Sequence, residues 1–273
     1  GAMFTASHNP AAYNGVKLCK SGAKPIGQDS GLLWIKNQMA GSLQEGFPIP
    51  NRPVGKETQR DLLPEYVSYL FSLFAKDTFD NTFQGRPIRI AIDAGNGMGG
   101  MTVPAVLGHT TDLEALPLEI IPMYFELDGS FPNHEANPLD PKNLVDLQAA
   151  VVEHKADLGL AFDGDADRCF VVDQNGDAVT PSAVAAIVAR REIARERAQN
   201  PGAPITILHN LLTSKIVEEM IAADGAKPVR TKVGHSLIKD QMAATNAVFG
   251  GEHSAHYYFR DFWGADNGML AAM

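Results

Sequence analysis

Three aspartates at alternate positions, Asp163, Asp165 and Asp167, stand in the run DGDADR and are followed at once by Arg168. Carboxylates this close repel one another. Two arrangements relieve the repulsion: a solvated acidic loop, or a divalent cation held by hard oxygen ligands. A calcium EF-hand loop would need Gly at its sixth position and Glu at its twelfth, where this chain has Arg168 and Gln174. An aspartyl-phosphate phosphatase usually continues D-x-D with small polar residues, whereas here a third Asp and an Arg follow. Beside a metal-bound phosphate, the planar fork of Arg168 could grip an anion.

Three further stretches carry chemistry. In FTASHNPAAYNGVK, Ser7 stands next to His8, with Lys17 at the end. Ser7 reads either as the N-cap of a short helix, with His8, Asn9 and Pro10 as its first turn, or as a nucleophile. Adjacent residues rarely face each other, so the pair is not a hydrolase triad, and the chain has no G-x-S-x-G elbow. In GGEHSAHYY, Glu252, His253 and His256 could form a transition-metal site, or the stretch is a polar loop, or it clamps a sugar. For the clamp, Glu252 and Ser254 would share one face of an extended segment and hold a pair of hydroxyls. Finally, residues 95–100 match G-x-G-x-x-G between a strand and a helix, which is the dinucleotide-binding setting. The acidic ribose partner expected about 20 residues on is poorly met, since Glu119 falls inside a strand. Tight packing explains such a turn equally.

The elements that must position these residues follow from periodicity. Apolar spacing predicts helices over 30–43 and 61–75, with polar connections over 46–56 and 77–87. From residue 88 the rhythm changes to strands alternating with helices. Strands are expected over 88–93, 118–125, 158–162 and 169–172, with Asp140 capping a helix that has Pro141 first and runs to about His154. A second unit of the same rhythm places helices over 182–197, 213–223 and 235–244 and strands over 205–208, 229–232 and 248–249. This alternation predicts α/β layers with mostly parallel sheets, and the two units read as possible copies of one design.

Bulk properties narrow the partners. The 273 residues allow about two domains, and 45% hydrophobic content supplies packed cores. A net charge of −9 argues against a nucleic-acid or anionic-membrane partner, because phosphate backbones select basic patches. A small phosphorylated ligand needs only a few local cations. Cys19 and Cys169 stand far apart in no CxxC pattern, which fits free thiols in a reducing cytoplasm. No apolar run reaches the ~18 residues of a membrane span.

Taken in order, TASHNP with YNGVK, then DGDADR, then VGHS at 233–236, then GGEHSAH resemble the α-D-phosphohexomutases, nearest the bacterial phosphomannomutase/phosphoglucomutase group. Phosphoglucosamine mutases are similar but usually have Gly at the place of Ala166 and Gln near His253. The resemblance implies consecutive mixed, mostly parallel α/β/α sandwich domains. Residues 1–80 would be the end of a first domain, 81–178 a second, and 179–273 most of a third, with a fourth, phosphate-gripping domain missing from what is expected to be a fragment. It implies that Ser7 carries the phosphoryl group, that His8 and Lys17 line the reacting phosphate, and that Lys17 is an acid/base once the site lowers its pKa. Asp163, Asp165 and Asp167 would hold Mg2+ with a phosphoserine oxygen of Ser7, and Arg168 and His235 would contact substrate. Glu252, Ser254 and His256 would recognise the sugar. The implied substrate is a small sugar phosphate, mannose or glucose, with hexose 1,6-bisphosphate as activator. Many relatives have a lysine where this chain has Leu211, with Lys215 close by. The readings from another class are a non-catalytic module binding a sugar phosphate or a dinucleotide, and a degenerate scaffold. The sequence sets no oligomeric state.

Overall fold

The computed structural model describes residues 1–45, 55–74, 86–108 and 116–273. Most of the connections expected over 46–56 and 77–87 therefore lie outside the described residues. The chain opens with a short antiparallel ribbon, β1 (Ala2–Phe4) paired with β2 (Val16–Leu18), whose loop carries Ser7. Two helices follow, α1 (Leu33–Glu45) and α2 (Leu63–Leu73). Val67, Leu70 and Phe71 of α2 are buried in the same core as the sheet that follows, ahead of the expected unit start at residue 81.

That sheet is built on β3 (Ile88–Asp93), buried at every position but Arg89, as a central parallel strand must be. Through α3 (Gly99–Val106) the chain reaches β4 (Leu118–Met123). Asp140 then caps a turn that begins with Pro141, accepting the Lys142 amide, and α4 (Val145–Glu153) leads to β5 (Leu158–Phe162). β3 pairs in parallel with both β4 and β5. From β5 the chain turns back without a helix into β6 (Cys169–Asp173) and β7 (Ala178–Val179), and both of these pairings are antiparallel.

A long helix, α5 (Pro181–Gln199), starts at the Thr180 cap and leads into the second sheet. β8 (Thr206–Asn210) pairs in parallel with β9 (Lys227–Thr231) and β10 (Phe249–Gly251), reached through α6 (Lys215–Ala223) and α7 (His235–Thr245). β11 (Tyr257–Phe259) and β12 (Ala265–Asp266) then add antiparallel, before α8 (Gly268–Ala272). The strand orders are β4-β3-β5-β6-β7 and β9-β8-β10-β11-β12. Numbered within each unit, both read 2-1-3-4-5 with the same strand directions, so the shared sequence rhythm is a shared topology. Each sheet is mixed because helical crossovers supply the first three strands and short returns the last two. Among the described residues no helix is long and apolar enough to cross a membrane.

Candidate active site

The acidic loop is the return between β5 and β6, which turns through Ala166 at φ +59°. Asp163 is fully buried. Its Oδ1 accepts the Arg168 backbone N–H at 3.1 Å and its Oδ2 the Arg168 Nε–H at 2.8 Å. Asp163, Asp165 and Asp167 each place a carboxylate oxygen within 4.8 Å of the others. Asp165 Oδ1 and Asp167 Oδ1 are buried without a hydrogen-bond donor.

Ser7 meets this loop from 156 positions away in sequence, its Oγ donating to Asp163 Oδ2 at 3.3 Å. His8 Nδ1 lies 3.1 Å from the same Oγ, so the neighbouring side chains do face each other, contrary to the sequence expectation. A hydroxyl has one proton, so with Asp163 accepting it, His8 donates through Nδ1–H. Thr5 links the two segments: its Oγ1 accepts the Ser7 N–H and donates to Asp165 Oδ2, both at 2.8 Å. Lys17 Nζ spans Asp165 Oδ2 at 3.1 Å and Asp167 Oδ2 at 2.8 Å. Ser7 does not cap a helix. Its φ is +56°, and the chain continues in turns in which Asn9 N–H donates to Ala6 O.

Glycines permit this approach. A Cβ on Gly164 would lie 2.3 Å from the Ser7 carbonyl oxygen, and one on Gly97 would lie 2.6 Å from the Gly164 oxygen. The G-x-G-x-x-G turn is thus a packing device. Its amides at Gly95, Asn96, Gly97, Met98 and Gly100 already donate within the protein, which leaves them unavailable to a dinucleotide pyrophosphate. Glu119 pairs with Arg89 instead of awaiting a ribose.

The charges shift one another. Burial, added to the Asp167 and Asp165 charges and opposed by Arg168, pushes the Asp163 carboxyl up to about 7. Burial and the Arg168 charge hold the His8 imidazole below its ordinary value. Burial pulls Lys17 down, but the Asp167 and Asp165 carboxylates outweigh it and leave the ammonium above its ordinary value. With no cation between the carboxylates, the anions that Lys17 bridges thus act against a lowering. Arg168 is buried, and one of its guanidinium nitrogens, Nη2, has no hydrogen-bond partner.

The second loop occupies the equivalent place between β10 and β11. It is a turn through Ala255 at φ +66°, not the extended segment expected, so alternation does not put Glu252 and Ser254 on one face. Glu252 is buried, accepting from Asn210 Nδ2 at 3.0 Å and from the Tyr258 hydroxyl at 2.9 Å. Ser254 Oγ sits 2.9 Å from His256 Nδ1, and His256 Nε2 lies 3.8 Å from Asp167 Oδ1. The main chains of Arg168 and His256 form an antiparallel bridge, which joins the two loops edge to edge. His253 turns away to Ser182 Oγ at 2.8 Å, so Glu252, His253 and His256 do not converge on a metal. His235 opens α7; its side chain lies outside the described residues. Leu211 is exposed after β8, and Lys215 begins α6.

Sequence reasoning missed Thr5, Asn210, Tyr258, and the pair Lys239 and Asp266, whose charges meet at 3.0 Å. Only Asn210 carried a signal: a polar residue closing an apolar strand needs a partner when buried. The donor set of the first loop, three carboxylates and a serine hydroxyl, is all hard oxygen. With two buried carboxylate oxygens lacking donors, it fits Mg2+ and not a soft metal.

Fold and site together define a known class. Three profiles of one family, the alpha/beta/alpha domains I, II and III of phosphoglucomutase/phosphomannomutase, match residues 1–44, 64–176 and 180–273. The chain belongs to this family, within the α-D-phosphohexomutase superfamily. It is 38% identical over 270 residues to a phosphomannomutase of Vibrio cholerae, covering 99% of this chain and 55% of that one. Identity to an Escherichia coli K12 phosphomannomutase is also 38%, over 99% of this chain and 56% of the relative. A crystal structure of a Burkholderia thailandensis phosphoglucomutase/phosphomannomutase family protein superposes with a TM-score of 0.78 at 27% identity, covering 99% of this chain and 53% of that one. The chain thus spans about half the length of the curated relatives it matches.

Proposed function

We propose that this chain is the phosphoryl-transfer part of a phosphohexomutase. The whole protein would interconvert hexose 6-phosphate and hexose 1-phosphate, mannose first and glucose next, through phospho-Ser7 and a bisphosphorylated sugar. The observation that carries this reading is the convergence of Ser7 Oγ on Asp163 at 3.3 Å beside two further aspartates. Phosphoryl transfer asks for positioning and charge neutralisation more than covalent chemistry, and this cluster is built for both. Asp163, Asp165, Asp167 and Ser7 would hold Mg2+, which when bound supplies Lewis-acid neutralisation of the transferring group.

The chain's own residues do the rest. His8 holds the Ser7 hydroxyl oxygen by a hydrogen bond, and Thr5 holds the Ser7 backbone by accepting its N–H. A sugar hydroxyl attacks the phosphorus, the bond from phosphorus to Ser7 Oγ breaks, the hydroxyl loses its proton and Ser7 regains one. Lys17, which bridges Asp165 and Asp167, would offset the developing charge and take or give the hydroxyl proton. The unpartnered Nη2 of Arg168 remains a donor for an anion. Glu252, Ser254 and His256, with His235, would recognise the sugar, Glu252 from a site already braced by Asn210 and Tyr258. Hexose 1,6-bisphosphate would recharge Ser7.

The test is covalent. Incubating the protein with glucose 1,6-bisphosphate and Mg2+ is expected to add one phosphoryl group, mapped to Ser7 by mass spectrometry and lost in Ser7→Ala. A full-length Ser7→Ala protein that kept the mutase rate would sink the reading.

A further inference from the structure

A second cluster of titratable groups lies behind the acidic loop, and the proposed reaction does not use it. His134 stands between two acceptors: its Nε2 is 2.9 Å from Asp93 Oδ2 and its Nδ1 is 2.9 Å from the Glu135 carbonyl oxygen. A neutral imidazole has one N–H, so it satisfies one acceptor and turns a lone pair on the other. An imidazolium satisfies both. The surrounding groups favour the charged ring. Asp93, on β3, is buried. Tyr124, just past β4, packs edge-on against the ring at 5.4 Å and donates its hydroxyl to Asp146 of α4 at 2.7 Å. The Asp93 hydrogen bond outweighs burial and, with the Glu135 carbonyl and the Asp146 charge, raises the imidazole above its ordinary value.

Asp93 passes this hold forward. Its Oδ1 accepts the Gly95 N–H at 2.8 Å, and Gly95 opens the glycine turn at φ +52°. Asn133, the neighbour of His134, grips the same turn through Asn96 Oδ1 at 2.8 Å. The turn in turn clasps the acidic loop: Met98 N–H donates to Gly164 O at 2.9 Å, and Gly97 leaves no room for a Cβ against it. Gly164 abuts the Ser7 carbonyl. A continuous line of bonded and packed groups therefore runs from His134 to Ser7.

We propose that His134, held as an imidazolium between Asp93 and the Glu135 carbonyl, is a positioning residue that seats the 95–100 turn on Gly164 and makes the order of the 163–168 loop depend on pH. The link to catalysis rests on reading that loop as the Mg2+ site. The sign follows from linkage. A group whose folded value is raised stabilises fully below its unfolded value, and that contribution fades as pH rises through the folded one.

Hydrogen exchange by mass spectrometry on the metal-free chain, between about pH 6 and 9 and corrected for intrinsic rates, reads this directly. In the wild type, protection of the peptides spanning 94–100 and 163–168 is expected to fall as pH rises. In His134→Gln protection of both is expected to be lower and that of 94–100 to be flat, Asp163 still titrating in the 163–168 loop, and Mg2+, by calorimetry, to bind up to about tenfold more weakly. Equal exchange profiles in the two proteins overturn the proposal, as does protection in the wild type that ignores pH, a result that needs no folded variant. A wild type that binds no Mg2+ overturns the metal reading instead, while the metal-free exchange still decides the role of His134.

Discussion

Arg168 and Asp163 form an ion pair from which water is almost wholly excluded, at 2.8 Å with side-chain exposures of 3% and 0%. Arg168→Met keeps the volume and removes the cation. Breaking a buried pair by deleting one partner costs about 3–5 kcal/mol, a large share of a typical total of about 5–15. The loss should depend on pH in a calculable direction. With Arg168 present, burial and the neighbouring aspartates already lift Asp163 from 3.8 to about 7. A folded value above the unfolded one gives stability that is full below 3.8 and lost as pH rises through about 7. Without Arg168 the carboxyl rises further, at about 1.4 kcal/mol for each unit. Near pH 5 Asp163 is protonated in both proteins and the difference is small, because Arg168 then has no anion to serve. Near pH 8.5 the wild type holds an ionised, paired carboxylate, and the variant must keep the proton or bury a bare charge. A rise of about two units would widen the gap by about 2 kcal/mol at pH 8.5, short of a full ~2.7 kcal/mol because the variant's carboxyl is then only partly ionised. Urea unfolding in EDTA at both pH values measures it, with Asp163→Asn expected to abolish the pH dependence. A destabilisation of equal size at both pH values would refute the argument.

Two other substitutions probe the same junction. Gly164→Ala sets a Cβ 2.3 Å from the Ser7 carbonyl oxygen, and overpacking against backbone is expected to cost about 1–3 kcal/mol and to expose residues 1–45 to protease while the 88–179 sheet stays protected. Lys17→Met removes the cation that occupies Asp165 and Asp167. Because Lys17 is half exposed, the stability change should stay within about 1 kcal/mol, yet Mg2+ should bind a few-fold more tightly by calorimetry while phosphorylation of Ser7 slows; unchanged Mg2+ affinity would show that Lys17 does not compete for those oxygens.

What the sequence disclosed and what it concealed divide along physical lines. The central strands were legible because β5 reads as an unbroken apolar run and β3 and β8 carry their apolar residues together in short, largely buried segments. The helix at Asp140 was legible because its cap and Pro141 are local signals. The acidic loop was legible because its chemistry is contiguous. Ser7 misled because its left-handed backbone is imposed from outside, by Gly164 and Thr5, and a cap motif looks the same without them. Glu252 misled for a similar reason. Alternation argues about an extended segment, whereas the chain turns at Ala255 and sends the carboxylate inward to Asn210 and Tyr258. The roles of Thr5, Asp93 and His134 exist only through partners far off in the chain, so no window of sequence contains them.

The repeated topology explains why the two chemical loops meet. In each sheet the helical crossovers end at the third strand, and the chain returns directly to form the fourth. The loop at that return projects from the carboxyl end of a parallel strand, where open α/β sheets present their ligand crevice. In the first unit this position holds the DGDADR aspartates, and in the second it holds Glu252, Ser254 and His256. The Arg168–His256 bridge joins these equivalent loops, with Asp167 and His256 3.8 Å apart across the seam. Gly268 of α8 locks the seam from behind, since a Cβ there would lie 2.7 Å from the Arg168 backbone. One strand order used twice thus places the two loops proposed for charge neutralisation and hydroxyl recognition side by side on a shared backbone contact. On the proposed reading, this shared bridge is a physical route by which a metal at one loop and a sugar at the other could be coupled without touching the same residue.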